Sequence, residues 1–177
     1  MKRAVLVAVV AALALFAGDA RAVAPGFDLF QTDPDQNGFK FTGKYATPAG
    51  FFTPDSQPFE GFVNFGGEPV IAFQGHDVGN ADTIVQRAAD ATPGAGGTAG
   101  EPAPIELRQL SLVSMAPIEV ATGQSTQLWD VRATLSPSRP STGSISLTQS
   151  DPNGGTLNSR IVVYPKFTFT RLSDGAT

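Results

Sequence analysis

The run Asp33-Pro34-Asp35-Gln36-Asn37-Gly38 is the densest set of potential metal ligands in this 177-residue chain. Oxygens at alternate positions followed by glycine match the first half of a calcium loop, where the oxygens converge and glycine permits a sharp turn. Asp33, Asp35 and Asn37 are therefore the candidate ligands, and calcium is the one cofactor the spacing suggests. The second half of the pattern fails. Its twelfth position is Lys44, where a bidentate glutamate belongs, and no helical pattern flanks the loop. The residue types favour a polar turn leading into a strand at Phe39, since Asp, Pro, Asn and Gly are turn formers. Asp151-Pro152-Asn153-Gly154-Gly155 has a similar but thinner composition and reads as a hairpin loop.

Acid–base chemistry has few carriers. His76 is the only histidine, in Gln74-Gly75-His76-Asp77-Val78-Gly79-Asn80, so any serine–histidine–acid relay would have to pass through it. No Gly-x-Ser-x-Gly elbow marks a partner serine, and Asp77 points to the opposite face if the segment is extended. A solvated loop histidine is the simpler reading. Glu60, Glu68, Glu106 and Glu119 could supply a carboxylate pair for glycoside hydrolysis, but linear spacing does not say which of them converge. No catalytic residue is assigned. Trp129 and Phe51-Phe52 are the candidate aromatic platforms for a sugar ring. Trp129 shares a strand face with Val131 and Leu135, which favours core packing. Of the adjacent pair Phe51-Phe52, one ring is expected to plug the end of the fold while the other stays partly exposed.

The elements that must position these residues read as strands. Short alternating runs separated by Gly, Pro, Asn and Asp recur along the chain, and almost no segment has helical periodicity. Strands are expected at 39–42, 59–65, 70–73, 83–87, 105–113, 127–135, 144–148, 157–164 and 167–172. Within 105–113 the inward phase changes from Ile105 and Leu107 to Leu110 and Leu112, which calls for a bulge near Gln109. Residues 127–135 alternate most clearly, with Trp129, Val131, Ala133 and Leu135 on one face and Asp130, Arg132 and Thr134 on the other. Strands without intervening helices predict an all-β fold, a single antiparallel β-sandwich or jelly-roll-like domain. Residues 89–104 are rich in Gly, Ala and Pro and contain no large apolar side chain, so they read as a flexible loop inside that domain. The strands on either side are too few to close separate cores.

The N-terminus sets the compartment. Lys2 and Arg3 precede an uncharged apolar run over residues 4–18, and Ala20-Arg21-Ala22 offers the small-x-small pattern that signal peptidase cuts. Residues 1–22 therefore read as a secretory signal peptide, too short for a membrane span, and the protein is expected to be secreted or periplasmic. Residues 23–177 form the mature domain, large enough to fold without staples, in keeping with a chain that has no cysteine. The formal charge is −4, and the leader carries three basic residues against one acidic, so the mature part is near −6. That balance, with scattered Lys and Arg, excludes a phosphate-backbone partner.

Several phrases resemble those of a poorly characterised family of exported bacterial, planctomycete-type proteins. They are Asp28-Leu29-Phe30, Pro48-Ala49-Gly50-Phe51-Phe52, Pro58-Phe59-Glu60-Gly61, Ala81-Asp82-Thr83-Ile84-Val85-Gln86-Arg87, Pro104-Ile105-Glu106-Leu107, Leu110-Ser111-Leu112-Val113-Ser114 and Pro165-Lys166-Phe167-Thr168-Phe169-Thr170. The resemblance spans nearly the whole mature chain, does not include the calcium-like loop, and implies export but no activity. The resulting expectation is a non-catalytic exported module that meets a glycan or another cell-surface protein. A secreted glycan-acting hydrolase and a calcium-stabilised adhesion module are the alternatives.

Overall fold

The computed structural model describes residues 5–7, 21–123, 125–151 and 154–177. Strands run in the order β1 (Val5–Val7), β2 (Gly26–Phe30), β3 (Gly38–Phe41), β4 (Gly61–Gly67), β5 (Thr83–Arg87), β6 (Ala103–Ser114), β7 (Ile118–Thr122), β8 (Ser125–Leu135), β9 (Ser141–Asp151), β10 (Gly154–Val162) and β11 (Pro165–Arg171). Among the described residues the only helical turns are two 3-10 turns, Pro34–Gln36 and Gly43–Tyr45. The fold is all-β, and every pairing between named strands is antiparallel. Residues 1–4 and 8–20 of the expected leader lie outside the described residues, and β1 lies beside β10.

The long strand β6 divides the paired network into two halves. Its first part lies between β5 and β9, which continue to β2 and β10 respectively. Its last part lies between β4 and β8, which continue to β3 and β11, while β7 takes over beside β8 where β6 ends. The change of partners coincides with a bulge. Ile84 pairs with Gln109 and Val85 with Leu107, leaving Arg108 as the extra residue. Buried positions accordingly switch from Ile105 and Leu107 to Leu110 and Leu112. An added residue bends and twists its strand, and here it lets one strand serve both halves.

The halves close over one apolar core. Trp129, Val131 and Ala133 of β8 pack with Phe41, Val63, Phe65, Val85, Ile105, Leu112 and Ile145, while Arg132 and Thr134 face outward. The second half also curls on itself. Its margin strands β3 and β11 meet through rings, with Phe39–Phe167 at 4.8 Å and Phe41–Phe167 at 5.0 Å. This arrangement is a sandwich with a barrel-like second half whose seam is closed by phenylalanine.

Two segments depart from a plain strand reading. Residues 70–73, expected as a strand, form none. Val70 donates its N–H to Ala81 O at 2.8 Å, and Phe73 and His76 exchange backbone bonds across a two-residue turn. Gln74 and Gly75 both have positive φ (51° and 81°), the geometry of a tight hairpin tip. The run is too short to form a strand before that turn reverses it. Residues 89–104 are placed through their backbone. Gly94 and Gly100 both donate to Leu147 O (3.0 and 2.8 Å), and Gln149 donates to Gly94 O. They occupy the flank of β9 that β6 does not reach, since its pairing with β9 begins at Ala103↔Ile145. A Cβ on Gly100 would collide with Thr92 O, so bare backbone is what fits there.

Candidate functional site

The candidate calcium ligands lie in a capped turn. Asp33 is the N-cap of the 3-10 turn, accepting the Asp35 N–H at 3.0 Å, with Pro34 opening the turn. Asn37 is extended, and its carbonyl accepts the N–H of Phe65. Among the described residues no group of three or more His, Cys, Asp or Glu side chains is arranged to hold a metal ion. Of the second Asp-Asn-Gly turn, Pro152 and Asn153 lie outside the described residues, while Asp151 pairs with Gly154 at the β9–β10 junction.

The histidine and glutamates considered for acid–base chemistry are spread over the exterior. His76 is exposed at its hairpin. Glu106 forms an ion pair with Arg108 at 3.0 Å on the outer face of β6. Glu68 forms one with Arg132 of β8, and its N–H donates to Ser111 O. The hydrogen bond from Arg132 holds the Glu68 carboxyl below the ordinary glutamate range, against a smaller opposing effect of burial. Glu60 is exposed just before β4, and Glu119 on β7 stands opposite Leu128 of β8. The aromatic candidates divide as their neighbours dictate. Trp129 is buried, with Phe52 5.1 Å from its ring and the Arg171 guanidinium 5.5 Å from its centroid. Phe52 also meets Phe169, while Phe51 stays half exposed.

One cleft brings different side chains together. It holds about 300 Å³ between the 59–64 stretch entering β4 and the 115–119 stretch entering β7. Its origin is local. β4 pairs with β6 only from Phe65 to Gly67, and before that its partner is β3 on the other side. Across the gap runs a connection containing Pro117, which has no N–H to offer a ladder. Val63 and Ile118 are buried beneath the cleft, and Phe62, Met115, Asn64 and Glu119 are exposed around it. Phe62 is 61 % exposed. Its ring lies across Gly38, where any Cβ would collide with it. Met115 likewise lies over Gly66. An apolar ring beside an amide and a carboxylate is a surface that can stack on a sugar face and bond its hydroxyls.

Sequence reasoning passed over Phe62, Asn64 and Met115. A signal was present, because Phe62 occupies the outward phase of the alternating 59–65 run, where a polar residue is the norm. Among the described residues no helix is long and apolar enough to cross a membrane. Compared with protein-family profiles, with characterised proteins and with solved structures, the chain matches none.

Proposed function

We propose that this is an exported, non-catalytic binding module whose β4–β7 cleft receives a neutral sugar ring of an extracellular or cell-surface glycan. The observation that carries the reading is Phe62, a large ring held in solvent on a glycine and bordered by Asn64 and Glu119. The cleft is at the small end of ligand pockets, which suits one ring of a longer chain. Export rests on the leader pattern of residues 1–22; at its expected end Arg21 and Ala22 are exposed, and Val23 is the first residue after them bridged to the body, through Ala91, while Val5–Val7 of the leader lie beside β10.

The test is titration calorimetry of the purified protein against neutral oligosaccharides such as cello-, chito- and xylo-oligomers. Binding to at least one series is expected, weakened about two- to tenfold by Phe62→Ala, a loss typical of a stacking contact. Product release from any of these oligomers that Glu119→Gln abolishes would replace the reading with a hydrolase. Absence of binding to every series would remove the glycan assignment.

A further inference from the structure

The outer face of β2 and β5 has a second, smaller apolar assembly. Ile84 is fully buried although it faces away from Val85 and the main core; with Val70 and Ala81 it makes up the buried apolar residues outside the core cluster. Val70 and Ala81 lie in the stretch between β4 and β5, joined by a backbone bond. Around them the surface is apolar. Phe27 and Leu29 of β2 are 40 % and 50 % exposed, Phe27 packs edge-on against Phe73 at 5.0 Å, and Ile71 is 95 % exposed.

The strand that bears this patch is an edge. Among the described residues β2 pairs with β5 alone. Sheet margins are normally guarded by outward charges, and the margin strands β3 and β11 carry exposed Lys40 and Lys166. The only charge on β2, Asp28, is taken by Arg87 in a two-pronged pair at 2.7 and 3.1 Å, with the guanidinium largely buried. The edge thus presents backbone, phenylalanine and leucine without a free charge.

We propose that β2 pairs antiparallel with β2 of a second copy of this chain about a twofold axis, extending the first half of the fold into a continuous sheet across the dimer. A twofold operation sets the same strand against itself, so Phe27 of one copy meets Leu29 of the other twice, and Ile71 flanks the join. The two Asp28 residues stand opposite each other at the axis, but each carboxylate is already paired with Arg87 of its own subunit. Phe27, Leu29 and Ile71 together expose about 300 Å² per copy, taking side chains of this size at roughly 150–200 Å² each. Doubled, that lies in the range of weak, transient associations. The dimer is therefore concentration-dependent.

Sedimentation equilibrium on protein recovered from a host exporting the full chain tests this. The weight-average mass is expected to rise from the monomer value towards twice that value between about 1 µM and 1 mM, the range of a micromolar equilibrium. Leu29→Lys and Ile71→Lys, both at exposed positions, are expected to hold the mass at the monomer value with an unchanged melting midpoint. A monomer at every concentration overturns the proposal. So does association that survives both lysine variants, or open-ended growth with no plateau at two.

Discussion

At the scale of single residues, a tight local constraint falls on Gly67, at the end of β4. The buried Asp82 carboxylate lies over it, accepting the Thr32 N–H and the hydroxyls of Thr32 and Thr83, each at 2.7 Å. A Cβ on Gly67 would collide with that carboxylate. Displacing it would strip a buried charge of its donors, and unpartnered buried polar groups are expensive. Gly67→Ala is expected to destabilise the protein by about 3 kcal/mol, read from urea unfolding; a change within experimental error would show that Asp82 relocates freely. Nothing in the sequence separates Gly67 from the neighbouring Gly66, whose close contact is the flexible Met115 side chain. Both read only as strand-ending glycines, because the partner that distinguishes them comes from a residue 15 positions away.

At the scale of elements, the Glu68–Arg132 pair joins the segment after β4 to the outward face of β8. Glu68 has a lowered pKa when folded, so its contribution is present in full above the ordinary glutamate range and is lost as pH falls through the lowered value. Both side chains are more than a third exposed, so solvent limits the effect to about 0.5 kcal/mol. Glu68→Gln is expected to flatten the loss of stability on acidification by that amount while changing the neutral-pH value equally little; melting midpoints collected from neutral to strongly acid pH would reveal a steeper profile if the pairing were wrong. The β6 bulge was legible from the phase change between Leu107 and Leu110. The strands β2 and β7 were not anticipated: Gly26–Phe30 and Ile118–Thr122 each start directly after a proline, Pro25 and Pro117, in stretches that read as turns.

At the scale of the whole molecule, the N-terminal segment is tied down beside the expected processing point. Val23 and Ala91 exchange backbone bonds at 2.9 Å, and Arg87 donates to the carbonyls of Val23 and Ala24 while paired with Asp28. Cleavage after Ala22 would leave every one of these contacts in the product. Mass spectrometry of protein collected from an exporting host is expected to find Val23 at the N-terminus. Retention of Met1, or a product beginning beyond Asp28, would remove the export reading. The same contacts make Arg87 the residue on which the start of the domain depends, because a carboxylate and two carbonyls share one guanidinium.

Residue order alone determined the all-β class, the inward face of β8 and the change of phase in β6. These follow from alternation within one strand, where each side chain's direction is fixed by its neighbours. That one ring of the Phe51-Phe52 pair is inward and the other exposed was equally local, but which of the two is inward was decided by the packing of Phe52 on Trp129. Tertiary structure decided which glycines carry rings or carboxylates, which flank of β9 receives the 94–100 stretch, and that Phe62, Asn64 and Glu119 border one cleft. It also decided which strands lie at the margins, and so where an unguarded edge is left. Those outcomes depend on pairings between residues far apart in the chain, and linear spacing does not encode which distant strands meet.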